Sequence, residues 1–482
     1  MQPLSTPPRT APAFRIREFQ LRTGDPARFL SLFEGRERGF WGRGSRWAAW
    51  GGAAARIEVP HADSAEGSGP ARFDLVRREA ARLLGGALLG TSPPASDIAE
   101  PPLRPRLFGG FSFLAGPGGD PVWEGFPVAT FVLPRVVLEG DGDRRRLLLC
   151  EPAGRNGAGP DDIALEAGRI RDELELRGPP PSGTAPSPDA PAAPHPGDRI
   201  VPGAVRPPSA RDRAAWDRAV ESVLAAVRSG AARKAVLART LDLRIPGGVD
   251  VLAALDALRS ENPRAHVFFF ESRPGRVFLG AAPEILAELR SGRFQATAVA
   301  GSIPRGRDEG DDRRLALDLL KSGKDLREHE LTAEEMSEVL APRLGGMEIE
   351  EQPRVLTLAR IQHLETVIRG QAGEGEDVLS LVEALHPTPA VCGRPRDLAL
   401  QLIRDAEPFD RGWYAGPVGW FDAAGDGDFV PALRAAVGGG TNWRLFAGAG
   451  IVEGSLPDAE WDETALKFEP ALRALGAGAR SP

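Results

Sequence analysis

The stretch Ala447-Gly-Ala-Gly-Ile-Val-Glu-Gly-Ser-Leu-Pro-Asp-Ala-Glu-Trp-Asp-Glu-Thr-Ala-Leu-Lys467 reads as a glycine-rich strand end running into a helix. Glycine there lets backbone approach a ligand closely. Ser455 and Asp458 stand at capping-box-like spacing, and Pro457 suits a first helical turn. Glu460, Glu463 and Lys467 fall at i, i+3 and i+7, on one helix face. Two carboxylates and an ammonium beside exposed backbone N–H groups suit a divalent cation held together with an anionic small molecule. A capped surface helix with an ordinary Glu–Lys pair has the same pattern.

Outward from this stretch, the 482 residues leave room for about three average domains or one large α/β or α+β domain. Lys and Arg number 60 against 67 acidic residues, a net charge of −7, and no basic run appears. A nucleic-acid or membrane-surface binder needs a concentrated basic field, so neither partner is expected. No apolar stretch reaches the roughly 18 residues of a membrane span. Met1-Gln-Pro-Leu-Ser-Thr-Pro-Pro8 lacks the charged start and apolar core of a signal peptide. Cys150 and Cys392 give neither a disulfide framework nor a metal cluster. A reducing, cytoplasmic setting is expected. Lysine is scarce beside arginine, which makes the remaining lysines informative.

Residues 1–13 read as disordered. From 14 to 177, short β-like runs alternate with Gly and Pro turns, ending in a helix over Asp161–Leu176. The segment 178–209 is dense in Pro and Ala without apolar periodicity, and reads as a flexible insertion. From 210 to 475 the pattern sharpens. A helix is expected over Ala210–Ser229, a strand over Lys234–Ile245, and a hairpin over His266–Glu271 and Arg276–Gly280. One long helix is expected over Asp311–Leu340. A second hairpin pairs Trp413–Phe421 with Phe429–Val437, and a strand covers Trp443–Ile451. Antiparallel strands interleaved with helices indicate α+β.

Several further residues suggest chemistry. Lys234 begins an apolar strand, as a buried ammonium or a snorkelling strand-end lysine. Glu284 follows Ala282-Pro283 between apolar residues; burial would raise its pKa and let it donate a proton, while a helix-start Glu is the plainer alternative. Asp325 and Glu328 share a helix face at i, i+3, as ligands or as a solvated salt-bridge face. His363 is a core or site histidine. Tyr414, the only tyrosine, and Arg434 one strand later suit a carboxylate site or ordinary cross-strand packing.

Together and in this order, these segments resemble the chorismate-utilising enzymes: the isochorismate, salicylate, anthranilate and aminodeoxychorismate synthases. The words that carry the resemblance are Lys234-Ala-Val-Leu-Ala-Arg239, Ala300-Gly-Ser302, Lys324-Asp-Leu-Arg-Glu-His329, Gln362-His-Leu364, Leu385-His-Pro-Thr-Pro-Ala-Val391, Tyr414-Ala-Gly-Pro-Val418 and Gly448-Ala-Gly-Ile451. It is strong from Arg233 to Lys467 and looser before, where Phe108-Gly-Gly-Phe111 fits. Within the family the chain is most similar to isochorismate synthases.

The resemblance implies one large α/β (α+β) domain of two stacked antiparallel sheets, helices outside, and the site in a cleft. It implies Mg²⁺ as cofactor and chorismate as substrate, with water added at ring C2 as the C4 hydroxyl leaves. By their match to family positions, Lys234 would be the base, its pKa lowered by burial, and Glu284 the acid. His363 would stand beside the ring carboxylate and the reacting ring. Glu328 and Glu463 would ligate Mg²⁺, with Glu460 and Asp325 reaching it through water. Tyr414, Arg434, Lys467 and backbone near Gly448 would hold the pyruvyl carboxylate, and Gly301 and Ser302 would line the ring. Lys234 speaks against the ammonia-using members, and Ala300 stands where aminodeoxychorismate synthases place a nucleophilic lysine. Ala390, in the substrate wall, stands where salicylate synthases carry Thr. The family's common Ser-Pro-Glu reads Ala282-Pro-Glu284 here. A salicylate synthase and a non-catalytic chorismate-binding homologue are the alternatives. A monomer or weak homodimer is expected.

Overall fold

The computed structural model describes residues 14–61, 71–84, 104–115, 119–152, 160–175 and 209–477. The expected disordered N-terminus, 1–13, and nearly all of the 178–209 insertion lie outside them. In chain order the strands are β1 Phe14–Leu21, β2 Arg38–Arg43, β3 Arg46–Val59, β4 Arg106–Phe111, β5 Ala129–Asp141, β6 Arg144–Pro152, β7 Lys234–Arg244, β8 His266–Arg273, β9 Arg276–Ala282, β10 Ala287–Arg290, β11 Arg293–Pro304, β12 Leu344–Ile349, β13 Arg354–Thr357, β14 Ile361–Ala372, β15 Gly393–Arg394, β16 Pro417–Asp422, β17 Gly427–Pro431, β18 Ala435–Gly439 and β19 Asn442–Ile451. The helices are α1 Pro26–Ser31, α2 Ala71–Leu83, α3 Pro160–Glu175, α4 Ala210–Arg228, α5 Val251–Glu261, α6 Glu309–Lys321, α7 Gly323–Leu340, α8 Val378–Leu385, α9 Arg396–Ala406 and α10 Pro457–Ala474.

All strand pairs are antiparallel and form two layers. One runs β5-β3-β2-β8-β9-β18-β19-β7-β15. The other runs β4-β16-β17-β10-β11-β14, with β12 and β13 on the far side of β14. The layers are joined through β5, which carries β3 on one edge and β4 then β6 on the other. The stacked sheets are therefore leaves of one hydrogen-bonded network.

Strand alternation explains the layering. On β8, Phe268 and Phe270 face a core shared with Phe108 on β4, Val418 and Trp420 on β16 and Val430 on β17. Val267 and Phe269, at the alternate positions, face an outer core with Phe29 of α1, Leu255 of α5 and Phe468 of α10. The second leaf turns Phe294, Ala296 and Ala298 outward onto Met336 of α7 and Val382 of α8. Apolar residues at both alternations thus bury both faces of each leaf. In the middle layer Trp50 stacks on Phe108 at 4.3 Å between ring centres, one of many aromatic pairs, each adding about 0.5–1.5 kcal/mol beyond its buried area.

Three local expectations are corrected. The stretch Asp311–Leu340 is two helices, because Ser322 adopts an extended ψ of 108° and its hydroxyl caps Asp325 N–H. Phe429–Val437 is two strands, β17 and β18, interrupted where Arg434 takes a left-handed φ of +50°. The capping box does not form. Helix α10 begins at Pro457, as a first-turn proline allows, without a side-chain cap, and Ser455 Oγ instead accepts from Val452 N–H.

Candidate active site

An open-sided cavity lies where β7 and β19 of one leaf diverge from β11 and β14 of the other. Helices α7 and α10 supply Glu328, Glu463 and Lys467 to its wall. The structure also brings to this wall Glu284, Gly301, Ser302, His363, Ala390, Tyr414, Arg434 and Gly448, residues scattered over more than 160 positions of sequence. Lys234, Asp325 and Glu460 lie behind the wall and touch the site through their neighbours.

Strand β7 starts at Lys234 and pairs with β19, with Ala235 opposite Ile451. Lys234 is 0% exposed. Its ammonium is 3.1 Å from Glu328 Oε1 and donates to Thr332 Oγ1 at 3.2 Å. Burial works against the Glu328 charge, but Lys234, Lys324 and Lys467 outweigh it and hold this carboxyl below its ordinary range. Gly450 makes the pair possible, since a Cβ there would collide with Glu328 Oε1 and come 2.9 Å from Lys234 Cε.

Glu284 sits in the link between β9 and β10. It is 1% exposed, and its Oε1 has no hydrogen-bond partner among the described residues. Burial pushes its pKa up to about 8, with Lys234 opposing and Glu365 adding to the rise. The sequence expectation of a raised Glu284 agrees with this.

The opposite corner is cationic. Neither Tyr414 nor Arg434 is on a strand, contrary to expectation: Tyr414 is in the turn before β16, and Arg434 is in the β17–β18 break. The left-handed backbone of Arg434 turns its side chain into the cavity wall. Its guanidinium is buried and has no carboxylate partner among the described residues; burial lowers its pKa to about 10. It donates to His363 Nε2 at 2.5 Å. A guanidinium has no acceptor, so Nε2 must accept, and the histidine proton belongs on Nδ1. Nδ1 then faces the Gly301 carbonyl and Ser302 Oγ, both at 3.1 Å. Burial, with Arg434 and Lys467 nearby, pushes the His363 pKa well down, which keeps the ring neutral. Gly301 is left-handed, φ +74°, and coincides with the register shift between β11 and β14.

Lys467 bridges the two corners, 2.7 Å from Glu463 Oε1 and donating to the Gly448 carbonyl at 2.9 Å. Tyr414 stacks on Phe446 at 5.0 Å, and a Cβ on Gly448 would come 3.1 Å from its hydroxyl. Burial raises the Tyr414 pKa, so the phenol keeps its proton.

Glu460 is 0% exposed and pairs with Lys324 at 2.5 Å, with the Ser455 side chain nearby, while its Oε2 has no hydrogen-bond partner among the described residues. Burial, then Glu463, pushes its pKa up to about 7. Burial also raises Asp325, whose carboxylate accepts from the Ser322 hydroxyl. These four carboxylates are all-oxygen donors of the kind Mg²⁺ prefers. The unpartnered Glu460 oxygen fits that use. Among the described residues no three of them converge as a closed ligand set; lysines pair with Glu328, Glu460 and Glu463 instead. Sequence reasoning missed the parts played by Gly450, Thr332 and Lys324. The scarcity of lysine was the signal available for the last of these.

The family model of the chorismate binding enzymes matches residues 16–476 of this chain. The salicylate biosynthesis isochorismate synthase of Pseudomonas aeruginosa is 39% identical over 383 residues, 80% of this chain and 77% of that protein. The isochorismate synthase MenF of Bacillus subtilis is 38% identical over 265 residues, 55% of this chain and 56% of that protein. The solved menaquinone-specific isochorismate synthase MenF from Escherichia coli superposes with a TM-score of 0.72 at 25% identity, covering 96% of this chain and 95% of that one. The chain belongs to the chorismate-binding enzyme family. No helix among the described residues is long and apolar enough to cross a membrane, and Cys150 and Cys392 are both buried and not joined in a disulfide.

Proposed function

We propose that the protein is an isochorismate synthase that uses Mg²⁺ to convert chorismate into isochorismate. The observation that carries this reading is the buried Arg434, which has no carboxylate partner among the described residues, in the same cavity as the buried carboxyl of Glu284. An uncompensated buried cation calls for an anionic ligand, and a carboxyl that keeps its proton near neutral pH suits a general acid. Chorismate is a dicarboxylate with a leaving hydroxyl. The kinship with proteins named isochorismate synthases points the same way.

In this reading Arg434, Lys467, Tyr414 and backbone at Gly448 receive the pyruvyl carboxylate. Neutral His363, oriented by Arg434 and Gly301, stands beside the ring, and Gly301 and Ser302 shape its wall. Lys234 takes a proton from the water that adds at C2. Glu284 gives a proton to the hydroxyl departing from C4, so the reaction leaves composition unchanged. Lys234 must be neutral to take that proton. Glu328 and Glu463, with Glu460 and Asp325 through water, would hold Mg²⁺, which supplies positive charge for the ring carboxylate. Ala390 offers no hydroxyl to the substrate, and with it we assign release of isochorismate in place of pyruvate loss to salicylate.

Incubation with chorismate and Mg²⁺, followed by chromatography, tests this reading. Isochorismate is the expected product. Salicylate as the main product without a coupling enzyme would shift the assignment to the salicylate synthases, and unchanged chorismate would leave a binding homologue.

A further inference from the structure

The chain has only four lysines: Lys234, Lys321, Lys324 and Lys467. Three of them pair with three site glutamates: Lys234 with Glu328, Lys324 with Glu460 and Lys467 with Glu463. In a chain that otherwise uses arginine for its cations, this placement is selective. An ammonium is a compact point charge on a flexible stem, whereas a guanidinium is a planar fork that tends to bind two oxygens at once. Lys234 and Lys467 have roles in the proposed reaction. Lys324 has none.

The position of Lys324 is unfavourable by local rules. It is the second residue of α7, where the helix N-terminus favours anions. It is nonetheless drawn inward, three-quarters buried, onto Glu460 Oε1 at 2.5 Å, with Glu463 and Glu328 the next charges it senses. Glu460 is fully buried, and its second oxygen has no hydrogen-bond partner among the described residues. Without Lys324, the carboxylate would face Glu463 with no counter-charge. Breaking such a pair from one side is costly because it strands a buried charge.

Building on the proposed metal dependence, we propose that Lys324 is a stand-in cation: in the metal-free protein its ammonium neutralises and places Glu460, and it withdraws when a divalent cation takes over that charge. The release is an exchange of counter-ions, with no covalent step. Its flexible four-carbon stem and its place on the first turn of α7, beside the extended Ser322 that separates α6 from α7, let the ammonium leave without moving the helix. Lys324 is thus a positioning residue that competes with the metal.

The scarcity of lysine makes this measurable on the unaltered protein. Brief acylation with an amine-reactive reagent, read by mass spectrometry, quantifies each lysine separately. Lys321, exposed at the end of α6, is the internal control. Addition of Mg²⁺ at millimolar concentration, alone and with chorismate, should raise labelling of Lys324 several-fold and leave Lys321 unchanged. Calorimetry on Lys324→Met should show Mg²⁺ bound roughly tenfold more tightly than by the parent protein, the size of one charge-assisted hydrogen bond no longer broken, and Lys324→Arg should not reproduce the gain. Unchanged or reduced Lys324 labelling in protein shown calorimetrically to bind Mg²⁺ would overturn the stand-in role and leave the metal dependence intact. Absence of any Mg²⁺ binding by the parent protein would overturn both.

Discussion

The two ends of the cavity handle charge in opposite ways. At the α7–α10 end, three buried or half-buried carboxylates each have a lysine within 3.1 Å. At the β17–β18 end, Arg434 is buried with only a neutral histidine against it. Both arrangements are costly in a low-dielectric interior, but they ask for different visitors. The compensated end can exchange one cation for another. The uncompensated end is completed only by an anion. A ligand with carboxylates at both ends, bridged to the acidic wall by a metal, satisfies the whole cavity. Glu284 stands apart from both ends as a carboxyl kept protonated by burial.

This contrast predicts its own failures. Chelation with EDTA should abolish turnover and Mg²⁺ should restore it, because the acidic wall is then left with lysines alone. Full activity in metal-free buffer would show that the lysines suffice. Next in size, Lys234→Ala and Glu284→Gln should each lower kcat by about 10²-fold or more if proton transfer limits the rate. The Glu284 pKa of about 8 also fixes a sign. Its acid form is present below that pH and is lost above it, so kcat/KM should fall as pH rises through about 8. Glu284→Gln should lack this falling limb; an unchanged profile would remove Glu284 from the chemistry.

At the uncompensated end, Arg434→Met should raise KM by roughly 10- to 100-fold, since a hydrogen bond to a charged group is worth about 1.5–3 kcal/mol. Its thermal stability should change little, because the substitution removes a buried charge and leaves only the neutral His363 Nε2 without its donor. A clear loss of stability with normal KM would mean that Arg434 serves the fold. The smallest effect is expected at Ala390. Ala390→Thr should leave chorismate binding largely intact and raise the fraction of salicylate, read by its fluorescence.

Most of the site was legible where local pattern and chemistry coincide. Glycines ending β19, Pro457 starting α10, and Glu460, Glu463 and Lys467 on one face are visible in sequence because strand ends, first-turn prolines and helical spacing are local properties. The alternations of β7 and the β8–β9 hairpin were legible for the same reason. What escaped depended on long-range contacts. Ser322 breaks a continuous helical pattern by capping the next helix, and serine sits in helices and caps alike. Arg434 interrupts a strand with a left-handed backbone that only the surrounding walls hold in place. Gly450 looks like any glycine until Glu328 and Lys234 arrive from 122 and 216 residues away. Lys324 reads as a surface lysine beside Asp325 until α10 brings Glu460 against it.

The most direct test of the account follows the oxygen. Turnover of chorismate in H₂¹⁸O under single-turnover conditions, read by mass spectrometry, reports whether water adds at C2 as the C4 hydroxyl leaves. If Lys234 activates water and Glu284 releases the hydroxyl, the isochorismate formed carries one ¹⁸O, located at C2. Isochorismate formed without label would mean that the original hydroxyl migrates, and would contradict the acid–base division between Lys234 and Glu284.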